Sequence, residues 1–146
     1  MRSRISVEQL QDMLTSREVT GASVAVVEQG TVSVTSAGLR DVQTGDSVTR
    51  DTIFDAASLT KPLVSFVVMQ LVQAGVICLD EPLSSFVRPL VADDARARNI
   101  TTRHLLSHTA GLQNLRDKDP LRLFFPPGSR FSYSSVGYMY LQMAIE

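Results

Sequence analysis

Apolar side chains along this chain change period several times, and each change marks an element. In "SVEQLQDMLTSR", Val7, Leu10, Met13 and Leu14 recur at helical spacing behind Ser6, a suitable N-cap, which predicts a short amphipathic helix whose role is to cover a sheet. "GASVAVVEQGTVSVTSAG" then alternates small and β-branched residues on either side of Glu28, Gln29 and Gly30, the pattern of a β-hairpin. Two strands alone are marginal in water, so an edge is left to be covered. The polar segment "RDVQTGDSVTRDT", with Gly45, predicts a loop.

The next segment, "FDAASLTKPLVSFVVMQLVQAGV", is the most apolar. Leu63, Val64, Phe66, Val67, Val68, Met69, Leu71 and Val72 leave almost no polar face, so a helix buried on several sides and ended by Gly75 is expected. "ICLDEPLSSFVRPL" and "VADDARARN" are short connecting elements, the latter a solvated face with alternating charge. "NITTRHLLSHTAGL" offers Thr101 or Thr102 as N-cap and Gly111 as terminator of a short helix. "DKDPLRLFFPPGSRFSYSS" is punctuated by Pro120, Pro126, Pro127 and Gly128 and predicts a loop. Val136, Met139, Tyr140 and Met143 then mark a last helix starting near Ser134 or Ser135. It runs to Glu146 without a capping glycine, the aspect of a chain cut rather than finished.

Composition adds boundaries. A chain of 146 residues with 44% hydrophobic and 20% charged side chains fits one soluble domain. A formal net charge of −1 leaves no footprint for nucleic acid or an anionic membrane, and no run of roughly 18 apolar residues predicts a transmembrane helix. Cys78, the single cysteine, is expected as a packed thiol. Two arginines precede Val7, but "EQLQDML" is too polar for a signal-peptide core; a cytoplasmic location is expected, although a removed leader would leave no trace.

Ser58 and Lys61 change the picture most, because they stand three positions apart at the head of the apolar helix. A helix N-terminus favours a developing oxyanion, and residues at i and i+3 share a face. A partly desolvated lysine gives up its proton more readily and acts as base toward serine, so the pair reads as an activated nucleophile. The bland alternative is Ser58 as an N-cap and Lys61 as a solvated first-turn residue. Two histidines, one cysteine and scattered carboxylates show no metal-ligand spacing. His108, in the helix-ending "LLSHTAGL", is expected to bond backbone groups, and His104 to lie on the surface.

"AASLTKP", "ITTRHLLSHTAGL" and "PPGSRFSYSSVGYMYL", in this order and at these separations, resemble the serine β-lactamase and penicillin-binding-protein-like hydrolases, especially the class C β-lactamase-related branch. The resemblance covers about Ala22 to the C-terminus. It implies an α+β fold, an incomplete β-lactamase/transpeptidase-like fold in which the helix and β-hairpin of residues 1–50 belong to the α/β region and 51–146 to the helical region of a single domain. It implies Ser58 as acylated nucleophile with its backbone N–H as one oxyanion donor, Lys61 helping to deprotonate it, and Tyr133, the tyrosine of a Y-x-N motif, as phenolate base or proton shuttle. The substrate would be an ester or amide, small or peptide-like, as for a carboxylesterase, DD-peptidase or β-lactamase, and no cofactor is implied.

Two positions depart from the pattern. Ser135 stands where the motif has asparagine; it would orient a substrate amide less well, or serve simply as N-cap of the last helix. The third motif, K-T-G or H-x-G on a later strand, and the second oxyanion donor are absent, and one such donor is worth about two to three orders of magnitude in rate. Three outcomes follow for the chain: a serine hydrolase, a non-catalytic binding module of the same fold, or a portion active only with a complementing C-terminal chain. A homo-oligomer that buries the open edge is a further expectation.

Overall fold

Ser6 starts the first helix, α1 (Val7–Ser16): its hydroxyl accepts from the Gln9 N–H at 3.1 Å, while the Gln9 carboxamide accepts from the Ser6 N–H at 2.9 Å. The structure, a computed structural model, describes residues 5–115 and 120–146; the N-terminal arginines and residues 117–119 of the expected proline-punctuated loop lie outside them. The chain divides into two compact units, Met1–Asp55 and Ala56–Glu146.

In the first unit, strands β1 (Gly21–Glu28) and β2 (Thr31–Gly38) pair antiparallel, Ala22 opposite Ala37 and Glu28 opposite Thr31. The two-residue turn has Gln29 and Gly30 both at positive φ, 46° and 78°, the twist that a tight hairpin needs. Leu10 and Leu14 of α1 pack with Ala37, Ala22 and Val24, covering one sheet face as the periodicity predicts. Val7 and Met13, which share that spacing, are exposed, because the face reaching the hairpin is only two residues wide. The loop after β2 is ordered by an Arg40–Asp46 ion pair at 2.9 Å and by Asp41, whose carboxylate accepts from Gln43 and Thr44.

The second unit opens with a 3₁₀ turn, Ala57–Leu59, running into α2 (Thr60–Gln73). Pro62 is tolerated because a first-turn N–H has no intrahelical acceptor to lose. Gly75, at φ 70°, ends the helix: its N–H reaches Val72 O and the Val76 N–H reaches Leu71 O, both at 3.0 Å. The expected burial on several sides is not found. Val68 alone in this helix is buried, while Leu63 is 69% and Phe66 64% exposed, because among the described residues packing reaches one side only.

Two 3₁₀ turns, Leu83–Ser85 and Ala95–Asn99, lead to α3 (Thr102–Leu106). The "VADDARAR" stretch is more than a solvated face: Val91 and Ala97 are buried, and Asp94 both caps its turn and pairs with Arg96. Thr101 rather than Thr102 caps α3, and His104 is no free surface residue, since its Nδ1 accepts from the Thr101 N–H at 3.2 Å. Arg103 grips Asp80 through two hydrogen bonds of 2.6 and 2.7 Å and holds that carboxyl below the usual carboxylate range. Cys78, expected to be packed, is exposed.

Helix α4 (Ser135–Ile145) completes the core: Val136, Tyr140 and Leu141 pack with Val68, Leu83, Ile100, Leu105 and Leu112, whereas Met139 and Met143 stay outside. No helix among the described residues is long and apolar enough to cross a membrane.

Gly111, expected to end α3, does another job. At φ 83° it lies against the Phe125 carbonyl, where a Cβ would collide, and its own carbonyl accepts from the Phe124 N–H at 2.9 Å. Gly111→Ala is expected to lower stability by about 2–5 kcal/mol, the sum of left-handed strain and overpacking, measured by urea unfolding. Tyr140 tests the opposite sign. Its side chain is fully buried, yet its hydroxyl finds no partner among the described residues. Tyr140→Phe is expected to raise stability by about 1 kcal/mol, read as a higher Tm.

Candidate active site

Ser58 lies in the 3₁₀ turn just before α2, after Ala57, whose φ of 42° places an ordinary L-residue in the left-handed region. Such a conformation costs about 1–2 kcal/mol and is characteristic of functional turns. Neither the turn nor α2 has a side-chain cap, so the N-cap alternative for Ser58 is not what its hydroxyl does. Instead Ser58 Oγ accepts from Lys61 Nζ at 3.0 Å and from the Tyr133 hydroxyl at 2.9 Å. Two donors aimed at one oxygen is the arrangement that stabilises alkoxide character there.

Tyr133 reaches this point because the residue after it anchors α4. Ser134, not Ser135, is the N-cap: its Oγ accepts from the Gly137 N–H at 2.8 Å and donates to the Gln113 carbonyl at 2.6 Å. Ser135 is the first helical residue. Its N–H and Oγ donate to Asn114 Oδ1 at 3.2 and 3.3 Å, and the same N–H donates to the Asn114 carbonyl at 2.9 Å. Asn114 escapes sequence reading because it belongs to no local period and meets Ser135 only through the fold.

Lys61 connects the two halves of the cluster. Its Nζ lies 5.2 Å from the centre of the Tyr133 ring and 5.6 Å from that of Tyr138, within range of cation–π attraction. Hydrogen bonding to Lys61, and secondarily to Ser58, holds the Tyr133 phenol below its ordinary pKa, since both partners favour the phenolate. Tyr138 ties the scaffold together, its hydroxyl sharing a 2.8 Å hydrogen bond with Ser65 of α2. The structure thus brings three of the four candidate residues onto one hydroxyl and places Ser135 beside Asn114.

His108 behaves as its place at a helix end predicts. It occupies the left-handed position after α3, φ 56°, where the Thr109 N–H bonds His104 O at 2.8 Å and the His108 N–H bonds Leu105 O at 3.2 Å. Its Nδ1 accepts from the Ser134 N–H at 3.1 Å and its carbonyl from the Ser132 N–H at 2.8 Å. No group of three His, Cys, Asp or Glu side chains among the described residues is placed to hold a metal ion.

A family model described as "Beta-lactamase" matches residues 7–146. The chain is 33% identical to penicillin-binding protein 4 of Amycolatopsis lactamdurans over 95% of its own length and 41% of that protein's. It is 32% identical to esterase EstB of Burkholderia gladioli, over 83% of this chain and 39% of the esterase. Among solved structures, a class C beta-lactamase in complex with cefoxitin superimposes with a TM-score of 0.81 at 24% identity, covering 94% of this chain and 42% of that one. The chain therefore spans about two-fifths of the length of these relatives, and the fold corresponds to the N-terminal region of the class C enzymes. Matched from residue 7 to its last position, with the α+β fold that its three motifs imply, the chain belongs to the beta-lactamase family of serine hydrolases.

Proposed function

We propose that the protein cleaves an ester or amide through an acyl-Ser58 intermediate. One observation carries the reading: Ser58 Oγ sits within 3.0 Å of Lys61 Nζ and 2.9 Å of the Tyr133 hydroxyl. In the acylating state Tyr133, as phenolate, takes the Ser58 proton while Lys61, as ammonium, stabilises the charge. Oγ then attacks the carbonyl carbon, the alcohol or amine leaves with the proton returned by Tyr133, and water releases the acid by the same steps. A cavity of about 310 Å³ borders Lys61, walled by Val64, Tyr138, Met139 and Ile145 with Thr60, Ser135 and Gln142 among its polar members. Its mainly apolar wall favours a substrate with an apolar acyl side chain.

The test is the intact mass of the protein after incubation with a fluorophosphonate and, separately, a penicillin, with peptide mapping of the adduct. One adduct per chain on Ser58 is expected. No adduct on a folded sample would overturn the reading.

The open side of α2, with Leu63 and Phe66 mostly exposed, favours a companion reading in which turnover needs a complementing polypeptide of this family's later segments. Hydrolysis that rises when such a polypeptide is added supports it. A chain already at full rate alone, monomeric by light scattering, would refute it.

A further inference from the structure

His108 donates nothing to Ser58, yet it touches the segment carrying Tyr133 on both sides. Its carbonyl accepts from the Ser132 N–H at 2.8 Å and its Nδ1 from the Ser134 N–H at 3.1 Å, so the residues before and after Tyr133 are pinned to one side chain and its own backbone. The imidazole lies against the Tyr133 ring, centroids 4.4 Å apart and planes 35° apart, and its centroid lies 5.2 Å from that of Tyr138 and 5.8 Å from that of Phe131, the last pair T-shaped. An Nδ1 that accepts carries no proton, so the ring is the neutral Nε2–H tautomer.

We propose that His108 is a positioning residue for Tyr133: as a neutral imidazole it clamps residues 132–134 and sets the plane of the phenol, and its protonation releases Tyr133 from Ser58. This deepens the reading of Ser58 and Tyr133 as the reacting pair and rests on it.

The physical reason is a reversal of polarity. Protonated Nδ1 would present N–H to the Ser134 N–H, donor against donor, and one hydrogen bond beside Tyr133 would become a repulsion. The charged and titratable groups acting on the ring are Lys61 of α2, through its charge, Tyr133 of the preceding loop and Tyr138 of α4. Burial and then the Lys61 charge hold the imidazole below its ordinary pKa. The neutral form therefore survives below the usual histidine range of about 6.5, and release comes as pH falls further. Stability follows the same sign: the contribution is complete above the unfolded value and declines as pH drops through the window beneath it.

Two variants separate acceptor from ring. His108→Asn keeps an oxygen where Nδ1 stands, tolerates positive φ and cannot gain the proton. His108→Phe keeps a ring and loses the acceptor. For the wild type, the rate of Ser58 acylation by a fluorophosphonate is expected to fall about tenfold per pH unit as the Tyr133 phenolate is lost, and to steepen to about a hundredfold per pH unit below the imidazole midpoint. In His108→Asn this added acid limb should vanish and the tenfold slope remain, with a rate at about pH 8 within about tenfold of wild type. In His108→Phe the rate at that pH should drop about 10- to 100-fold.

A second readout is independent of turnover: the ¹⁵N resonances of His108 and the ¹³Cζ resonance of Tyr133, titrated by NMR in the wild type and in His108→Asn. Tyr133 is expected to shift at the imidazole midpoint in the wild type and not in the variant. An acid limb unchanged in His108→Asn, or a Tyr133 resonance indifferent to His108, would overturn the proposal. If the fluorophosphonate labels nothing at any pH, the reading of Ser58 fails, and the Tyr133 resonance still decides whether His108 holds that ring.

Discussion

Ser58→Ala is expected to remove all fluorophosphonate and penicillin adducts and to lower any ester turnover by about four orders of magnitude or more. The substitution deletes the atom on which Lys61 and Tyr133 converge and leaves two donors with nothing to act on. Ser58 is exposed, and its side chain caps neither its turn nor α2. The fold should therefore survive, with a Tm close to that of the wild type, and the loss should be chemical. Intact mass and burst kinetics read it directly. An adduct that persists on another residue would sink the assignment of the nucleophile.

Tyr133→Phe carries the second large effect, a fall of about 10²–10⁴ in the acylation rate. The ring and its contact with His108 remain, so what disappears is the hydroxyl 2.9 Å from Ser58. The pH dependence has a definite sign. Lys61 first, and Ser58 second, stabilise the phenolate, so Tyr133 ionises at lower pH than a free tyrosine. A phenolate base makes the acylation rate climb as pH rises through that midpoint and then level off. In Tyr133→Phe this rising limb should be absent. A limb unchanged in midpoint would assign the base to Lys61.

Much of the local structure was legible because local chemistry decides it. Ser6 ahead of a helical period, Gln29-Gly30 between alternating runs, and Gly75 after an apolar helix each act within a few residues, and each does what its neighbours imply. The proximity of Ser58 and Lys61 was legible for the same reason, being one helical turn. Tyr133 lies 75 positions from Ser58, and only the order of three motifs brought it into view. Errors gathered where a choice depends on distant partners. Whether Ser134 or Ser135 caps α4 is settled by Gly137, Gln113 and Asn114. That the left-handed residue after α3 is His108 and not Gly111 was hidden for the same reason: Phe125, 14 positions on from Gly111, approaches that glycine and claims it. The apolar faces of α2 were plain, but hydrophobicity states that a surface wants cover and not what supplies it.

The chain has three tyrosines and no tryptophan, and all three, Tyr133, Tyr138 and Tyr140, lie within eight consecutive positions. Two of them flank Lys61, and the third is sealed in the core with burial raising its pKa. The near-ultraviolet spectrum is consequently a private window on the site. Tyrosinate absorbance is expected to grow in from Tyr133 below the pH at which a free tyrosine ionises, and from Tyr140 above it. An unlabelled sample in a cuvette can thus follow the phenol beside Ser58, and each acylation event that disturbs it, without any engineered probe.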